Sequence, residues 1–404
     1  MRSSKRFDTI ACDFLACLGV ASKYFDAQSS KRLLATFGAR AVSQPTPPGL
    51  PILWRRRTDP VAGSHSRRTG AEVTTIDDVA RAAGVSVSTV SYALSGKRPI
   101  SASTRERIER AVRELGYRPH AGARALASAR TNVLALMAPL RVDVNVGVIM
   151  QFVTGVVTRA QTYQHDVLLL TQDDHAGVER VAAGSMVDAV IMMDVEADDP
   201  RLAILRRQRQ PAVLIGLPRD TAGFSCVDLD FESAARTAVD HLAGLGHRSI
   251  ALIGSPQVVL DRHTTYAARM VRGFTEETAH VGADAVFEPC ESSHAGAVAA
   301  VDRVLARLPG VTGLVVHNEV ALPAVLATLR ERGRAVPDDV SVVAVCPTDV
   351  ATGQQQQLTA VDIPAATIGG VAVDMAMARL EGTQLAETRL ISPVLTARAT
   401  TRAL

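Results

Sequence analysis

The feature that most limits what this chain can fold into begins at Asn132. From there short apolar runs recur: Val133–Met137, Val167–Leu170, Ala189–Met193, Ala212–Ile215, Ile250–Ile253, Gly313–Val316 and Val340–Val345. They are too short to be helices that pack on their own and too uniformly apolar to be strands with one wet face. Between them lie amphipathic stretches with helical periodicity, such as Glu232–Leu245 and Val320–Arg332. A strand covered by helices on both faces is apolar along its whole length, which is the signature of parallel sheets. The repeated strand–helix order over residues 131–404 predicts doubly wound sheets, two of them. The chain has 404 residues, of which 47% are apolar and only 4% aromatic, so its cores must be built from Val, Leu, Ile and Ala. That length exceeds one ordinary core and suits two or three domains.

Charge is segregated along the chain. Residues 1–70 carry 12 Lys/Arg against 4 Asp/Glu, residues 71–130 carry 10 against 6, and residues 131–404 carry 22 against 31. A basic front on an acidic body is the balance expected when only the front meets a polyanion. Residues 1–70 contain Pro45, Pro47, Pro48 and Pro51, and Arg55-Arg56-Arg57 beside Trp54. They are expected to form a disordered basic leader, which either adds non-specific affinity for a polyanion or contributes nothing to binding. The five cysteines, Cys12, Cys17, Cys226, Cys290 and Cys346, have no CxxC spacing. Neither a disulfide framework nor a zinc site is expected, and a reducing cytoplasm fits. No apolar run reaches the ~18–20 residues needed to span a bilayer.

Residues 75–94 carry a different pattern. Thr75 is a helix N-cap with Asp78 three residues on, and Ile76, Val79 and Ala80 form an apolar stripe. Ala80 is small, as a close helix crossing requires, and Gly84 can take the positive φ of a tight bend. Ser86 caps a second helix whose Val90 and Leu94 are expected to face inward. Two short helices locked across a glycine bend form a helix-turn-helix, whose second helix enters the major groove of DNA. Val87, Ser88 and Tyr92 on its outer face are the candidate base-reading residues: Ser donates or accepts, Val packs on a thymine methyl, and Tyr does both. Thr75, Ser86, Thr89, Ser91, Ser101 and Arg105 are candidates for phosphate contacts. A third helix follows, capped by Ser101 or Ser103, with Ile108, Val112 and Leu115 at helical spacing and Gly116 at its end.

The segments TIDDVARAAGVSVSTVSYALSGKRPIS, TRERIERAVRELGYRPH and ARALA, in a match that runs without a gap over residues 74–128, resemble the headpiece of the lactose/galactose repressor family. The resemblance implies a DNA-bound homodimer and a hinge helix that wedges a leucine into the minor groove. The matching hinge positions are Pro119, His120, Ala123, Arg124, Leu126 and Ala127, with Leu126 as the wedge. So short an alanine-rich segment cannot hold a helix alone in water, so its ordering would be coupled to DNA binding.

The resemblance extends more loosely over HLAGLGHRSIALIG (241–254), the crossover from first lobe to second. It continues over HNEVALPAVLATLRERGRAVPDDVSVVAV (317–345) and LTAVDIPAATIGGVAV (358–373), the return to the first lobe. It implies two Rossmann-like lobes, like those of periplasmic sugar-binding proteins, with an effector cleft between them. Polar residues after the strands are the candidate effector contacts: Arg141, Asp143, Asn145, Arg219, Asp220, Arg269, Asn318 and Glu319. Three departures bear on the effector. Met270 stands where the family usually has an arginine, Cys346 where it has a hydroxyl-binding aspartate, and Glu319 where it has the aspartate of an Asn-Asp pair.

The expected fold class is therefore α plus α/β. A helix-turn-helix headpiece (71–118) and a hinge (119–130) precede two doubly wound, periplasmic-binding-protein-like lobes (131–404). The expected function is a sequence-specific transcription regulator, a repressor, with a small sugar-like effector, no cofactor, no metal and no membrane partner. The alternatives are a DNA-binding regulator that answers to a protein or to nothing, and a plain solute receptor. An enzyme is disfavoured, since no Gly-x-Ser-x-Gly, His-Glu-x-x-His or glycine-rich phosphate loop occurs.

Overall fold

The computed structural model describes residues 74–95, 98–117, 130–138, 140–141, 145–171, 175–183 and 186–404. The leader, residue 118, the hinge except for its last residue, 130, and Asp143 lie outside the described residues.

Three helices form the headpiece: α1 Ile76–Ala83, α2 Val87–Ser95 and α3 Ala102–Leu115. At the start of α1 the Thr75 N–H and O–H both donate to the Asp78 carboxylate, at 2.9 and 2.7 Å. These bonds hold the Asp78 carboxyl below its usual value. Gly84 closes α1 at φ 64°, the left-handed geometry that turns the chain into α2. Ser101 is the cap of α3, accepting the Thr104 N–H at 3.3 Å, and Gly116 ends α3 at φ 60°. Val79, Ala80, Ala83, Val90, Ile108, Ala111 and Tyr117 make the small core. Two expectations about helix faces are corrected: Leu94 and Leu115 are exposed. The core closes over Val90, Ala93, Ile108 and Ala111 and leaves both leucines at its rim.

The rest is two sheets of one design. The first has strands β1 Val133–Met137, β2 Asp166–Leu170, β3 Ala189–Met192, β4 Ala212–Ile215, β5 Ser225–Leu229 and, from far along the chain, β11 Thr388–Ile391. The second has β6 Ser249–Gly254, β7 Asp284–Pro289, β8 Gly313–Val316, β9 Ser341–Cys346, β10 Thr359–Asp362 and β12 Leu395–Thr396. Their orders are β2-β1-β3-β4-β5-β11 and β7-β6-β8-β9-β10-β12. All pairings are parallel except β12 on β10.

Helices α4 Val146–Thr162, α5 His175–Ala183 and α6 Arg201–Leu205 belong to the first lobe. The chain crosses to the second lobe through α7 Phe231–Gly244, and α8 Gln257–Asp261, α9 Thr265–His280, α10 His294–Arg307, α11 Leu322–Glu331 and α12 Thr348–Thr352 follow. It returns to the first lobe through α13 Ala365–Leu380, which packs on α4 and on β3, β4 and β5. It crosses once more between β11 and β12.

The α4–α13 crossing is close because glycines face backbone on both sides. A Cβ on Gly155 would lie 2.1 Å from the Ala366 carbonyl oxygen, and one on Gly369 would lie 2.5 Å from that of Phe152. One buried cluster runs through both lobes, from Leu134 and Ile191 in the first sheet through Phe231 and Leu242 on α7 to Ile250 and Leu252 in the second.

Candidate functional site

The candidate DNA face is built at the start of α2. Ser86 Oγ lies 2.8 Å from both Ser88 Oγ and Thr89 Oγ1, and the Thr89 N–H donates to Ser86 Oγ at 3.2 Å. This small hydroxyl cluster sits on a helix N-terminus with no acidic residue in its first turn, an arrangement suited to a phosphate. Val87 and Ser88 are exposed, while Ser91 and Tyr92 are half-buried. The Arg98 guanidinium stacks over the Tyr92 ring at 5.1 Å. Sequence reasoning missed Arg98, although its place just beyond the recognition helix was a usable signal. Thr75 and Ser101 are committed to helix caps, and Arg105 is exposed on α3.

The candidate ligand site is a cavity of about 130 Å³ at the carboxyl ends of strands from both lobes. That is where a doubly wound sheet opens at its switch point. From the first lobe come Asn145, Phe152, Asp194 and Asp228; from the second come Ser255, Tyr266, Ser292, His317, Asn318 and Glu319. Phe231 stands at the crossover. Phe231, Tyr266 and His317 form a triangle of rings with centroids 5.6, 5.3 and 5.8 Å apart.

The electrostatics follow from burial. The Asp228 carboxylate is buried against Arg269, whose Nη1 also donates to the Leu229 carbonyl at 3.2 Å. Desolvation outweighs the arginine's pull and raises the Asp228 carboxyl to about 6. Burial drives His317 down to about 4, so its ring is neutral near pH 7. Burial also raises the Glu319 carboxyl to about 7. Asp194 is paired with Arg141 and, at 3.1 Å, with Arg262 across the lobes. A further cross-lobe contact joins Gln151 Nε2 to both Asp349 carboxylate oxygens at 3.0 Å.

Of the eight sequence candidates, Asn145, Asn318 and Glu319 line the cavity. Asn145 caps α4 through the Gly147 N–H at 3.0 Å, and Asn318 Nδ2 donates to the Cys290 carbonyl at 2.7 Å. Arg269 lies one layer behind the wall, and Arg141 lines an adjoining groove with Arg262 and Ser292. Two placements are corrected. Arg219 pairs with Asp198, and Asp220 with Arg206, both at exposed sites away from the cavity wall. The chain after β4 passes the cavity at Gly216 and is already on the surface when it reaches them.

The departures at Met270 and Cys346 also have their explanation. Met270 is a buried core residue, and the neighbouring Arg269 turns toward Asp228 instead. Cys346 is buried at the end of β9, off the cavity wall. Asp194, Asp228, Phe231, Tyr266 and His317 were missed. Asp194 directly follows an apolar run, a signal that strand-end reasoning could have used.

A helix-turn-helix headpiece followed by two parallel-sheet lobes around a cleft is the architecture of a DNA-binding regulator. Comparison with known proteins agrees. Residues 75–120 match the model described as bacterial regulatory proteins, lacI family, and residues 239–401 match that of the periplasmic binding protein-like domain. The HTH-type transcriptional regulator GalS of Salmonella typhimurium is 30% identical over 335 residues, covering 80% of this chain and 95% of GalS. Catabolite control protein A of Priestia megaterium is 29% identical over 303 residues, covering 74% of this chain and 90% of that protein.

Among solved structures, the transcriptional regulator CelR–cellobiose complex has 27% identity and a TM-score of 0.59, covering 81% of this chain and 99% of that one. The lac repressor dimer bound to operator and the anti-inducer ONPF has 23% identity and a TM-score of 0.71, covering 82% and 100%, a likeness of fold. The chain belongs to the lacI family of bacterial regulatory proteins. It is a DNA-binding transcriptional regulator, and its relatives are regulators, not enzymes. Among the described residues no helix is long and apolar enough to cross a membrane.

Proposed function

We propose that the chain acts in the cytoplasm as a homodimeric repressor, whose grip on a near-palindromic operator is set by a small molecule held between the lobes. The observation that carries this reading is the cavity, walled by rings and carboxylates from both lobes of a chain that also holds a helix-turn-helix. The cellobiose complex of CelR and the operator complex of the lac repressor support the same pairing of roles. Val87, Ser88 and Tyr92 read bases, and the Ser86–Thr89 hydroxyls with Ser91 and Arg105 position the backbone. Thr75 and Ser101 act through the helix starts that they cap.

Because the cavity wall comes from both lobes, an occupant favours one angle between them. In the dimer that angle sets the spacing of two hinge segments, residues 119–130, and so the wedge at Leu126. The test is operator affinity by fluorescence anisotropy, on a site selected from random DNA, with and without a metabolite panel. An effector is expected to shift affinity about 5- to 150-fold. No preference for any sequence over bulk DNA in moderate salt would overturn the DNA reading. Specific binding that ignores every metabolite would overturn the sensor reading and favour a protein co-regulator.

A further inference from the structure

The charge on the cavity wall is one-sided. Asp194, Asp228 and Glu319 line it, and no lysine or arginine does among the described residues. Two of these carboxylates are neutralised from behind the wall, Asp194 by Arg141 and Arg262 and Asp228 by Arg269. Glu319 is not. Its half-buried side chain has no cationic side chain acting on it among the described residues. Its neighbours supply no positive charge either, because the buried His317 ring is neutral near pH 7. Burial above all, and then the nearby charges of Asp194 and Glu319, raise the Tyr266 phenol.

A carboxylate in an apolar wall is costly unless a cation or several hydrogen bonds meet it. The same cavity carries an aromatic face, formed by Phe231, Tyr266 and His317, and such rings attract an ammonium group. Nδ1 of His317, a residue only 5% exposed, has no hydrogen-bond partner among the described residues, but it is closed off from solvent.

We propose that the ligand of this cavity carries a protonated amine, with its nitrogen on Glu319 and its carbon frame against the Phe231–Tyr266–His317 rings. The inference rests on the effector reading above and narrows its chemistry. An anionic ligand, such as a sugar phosphate or uronic acid, would meet three carboxylates and no cation on the wall. A neutral polyol could donate hydroxyls to Glu319 but would bring it no countercharge.

The test is isothermal titration of the full chain at pH 8 with two matched sets of probes. One set is glucosamine, glucose and glucuronate; the other is 1,4-diaminobutane, 1,4-butanediol and succinate. The amine of at least one set is expected to bind 10-fold or more tighter than its neutral and acidic counterparts. That preference should fall at least 10-fold in Glu319→Gln, a variant that should fold because it keeps the shape of a half-buried side chain. A neutral or acidic probe binding as tightly as its amine, or an amine preference that survives Glu319→Gln, overturns the amine inference and leaves the sensor reading standing. No binding by any of the six probes, with no binding across the metabolite panel, overturns both.

Discussion

Replacing Arg269 by methionine tests how the two lobes are joined behind the cavity. Asp228 comes from β5 of the first lobe and Arg269 from α9 of the second, and each side chain is only 8% exposed. The arginine also binds the Leu229 carbonyl and lies over the Phe231 ring at 5.5 Å. Arg269→Met keeps most of the packing volume but leaves the carboxylate buried and unmatched, a loss of about 3–5 kcal/mol in comparable buried pairs. At roughly 2–4 °C per kcal/mol for a domain of this size, the melting temperature should fall by about 10 °C.

Protonation limits that loss. Burial already lifts the Asp228 carboxyl to about 6, and without the guanidinium it rises further. A carboxyl raised in the folded state contributes stability at low pH and loses it as pH rises through the folded value. The deficit of the variant should therefore be largest near pH 8 and shrink toward pH 5. Thermal unfolding followed by circular dichroism at both values reads this directly. The double variant Asp228→Leu/Arg269→Met should recover most of the loss, since an apolar pair replaces a buried ion pair at little net cost. A drop under 2 °C, an equal drop at both pH values, or a double variant worse than the single would refute the reasoning.

Three other outcomes are expected. Gly155→Ala drives a methyl into the Ala366 carbonyl and should cost about 1–3 kcal/mol in urea denaturation; unchanged stability would contradict the close α4–α13 crossing. Ser88→Ala and Tyr92→Ala should alter the DNA sequence selected from a random pool more than the salt dependence of binding, and an unchanged selected sequence would remove both from base readout. Glu319, whose carboxyl is raised to about 7, makes the ligand-free protein less stable as pH climbs from 5 to 8. Cavity water screens part of this, leaving about 1–2 kcal/mol. Denaturation midpoints of Glu319→Gln should lack that part of the decline, and an identical pH profile would show that the side chain is not strained by burial.

The sequence alone determined the headpiece and most of the strand–helix order, because both depend on local periodicity and on residues with one mechanical use. Gly84 could only be a bend, Ala80 and Val90 only a close-packed core, and the runs at Val133, Ala212 and Gly313 only covered strands. Strands interrupted by a charge were not readable in this way. β5 contains Asp228, β7 contains Asp284 and Glu288, and β10 ends at Asp362, and these carboxylates broke the apolar pattern.

The cavity is a different matter. Asn145, Asn318 and Glu319 were legible because each follows a strand, but the same logic drew in Arg219 and Asp220, which the chain carries away to the surface. Phe231, Tyr266 and His317 look like core residues in sequence, and Asp228 looks like a surface residue. Only the three passages between the lobes bring them together, since these positions lie far apart along the chain and belong to different packing layers. Local sequence fixes what each segment is; which segments share a wall depends on contacts between distant parts of the chain, and no local pattern encodes those.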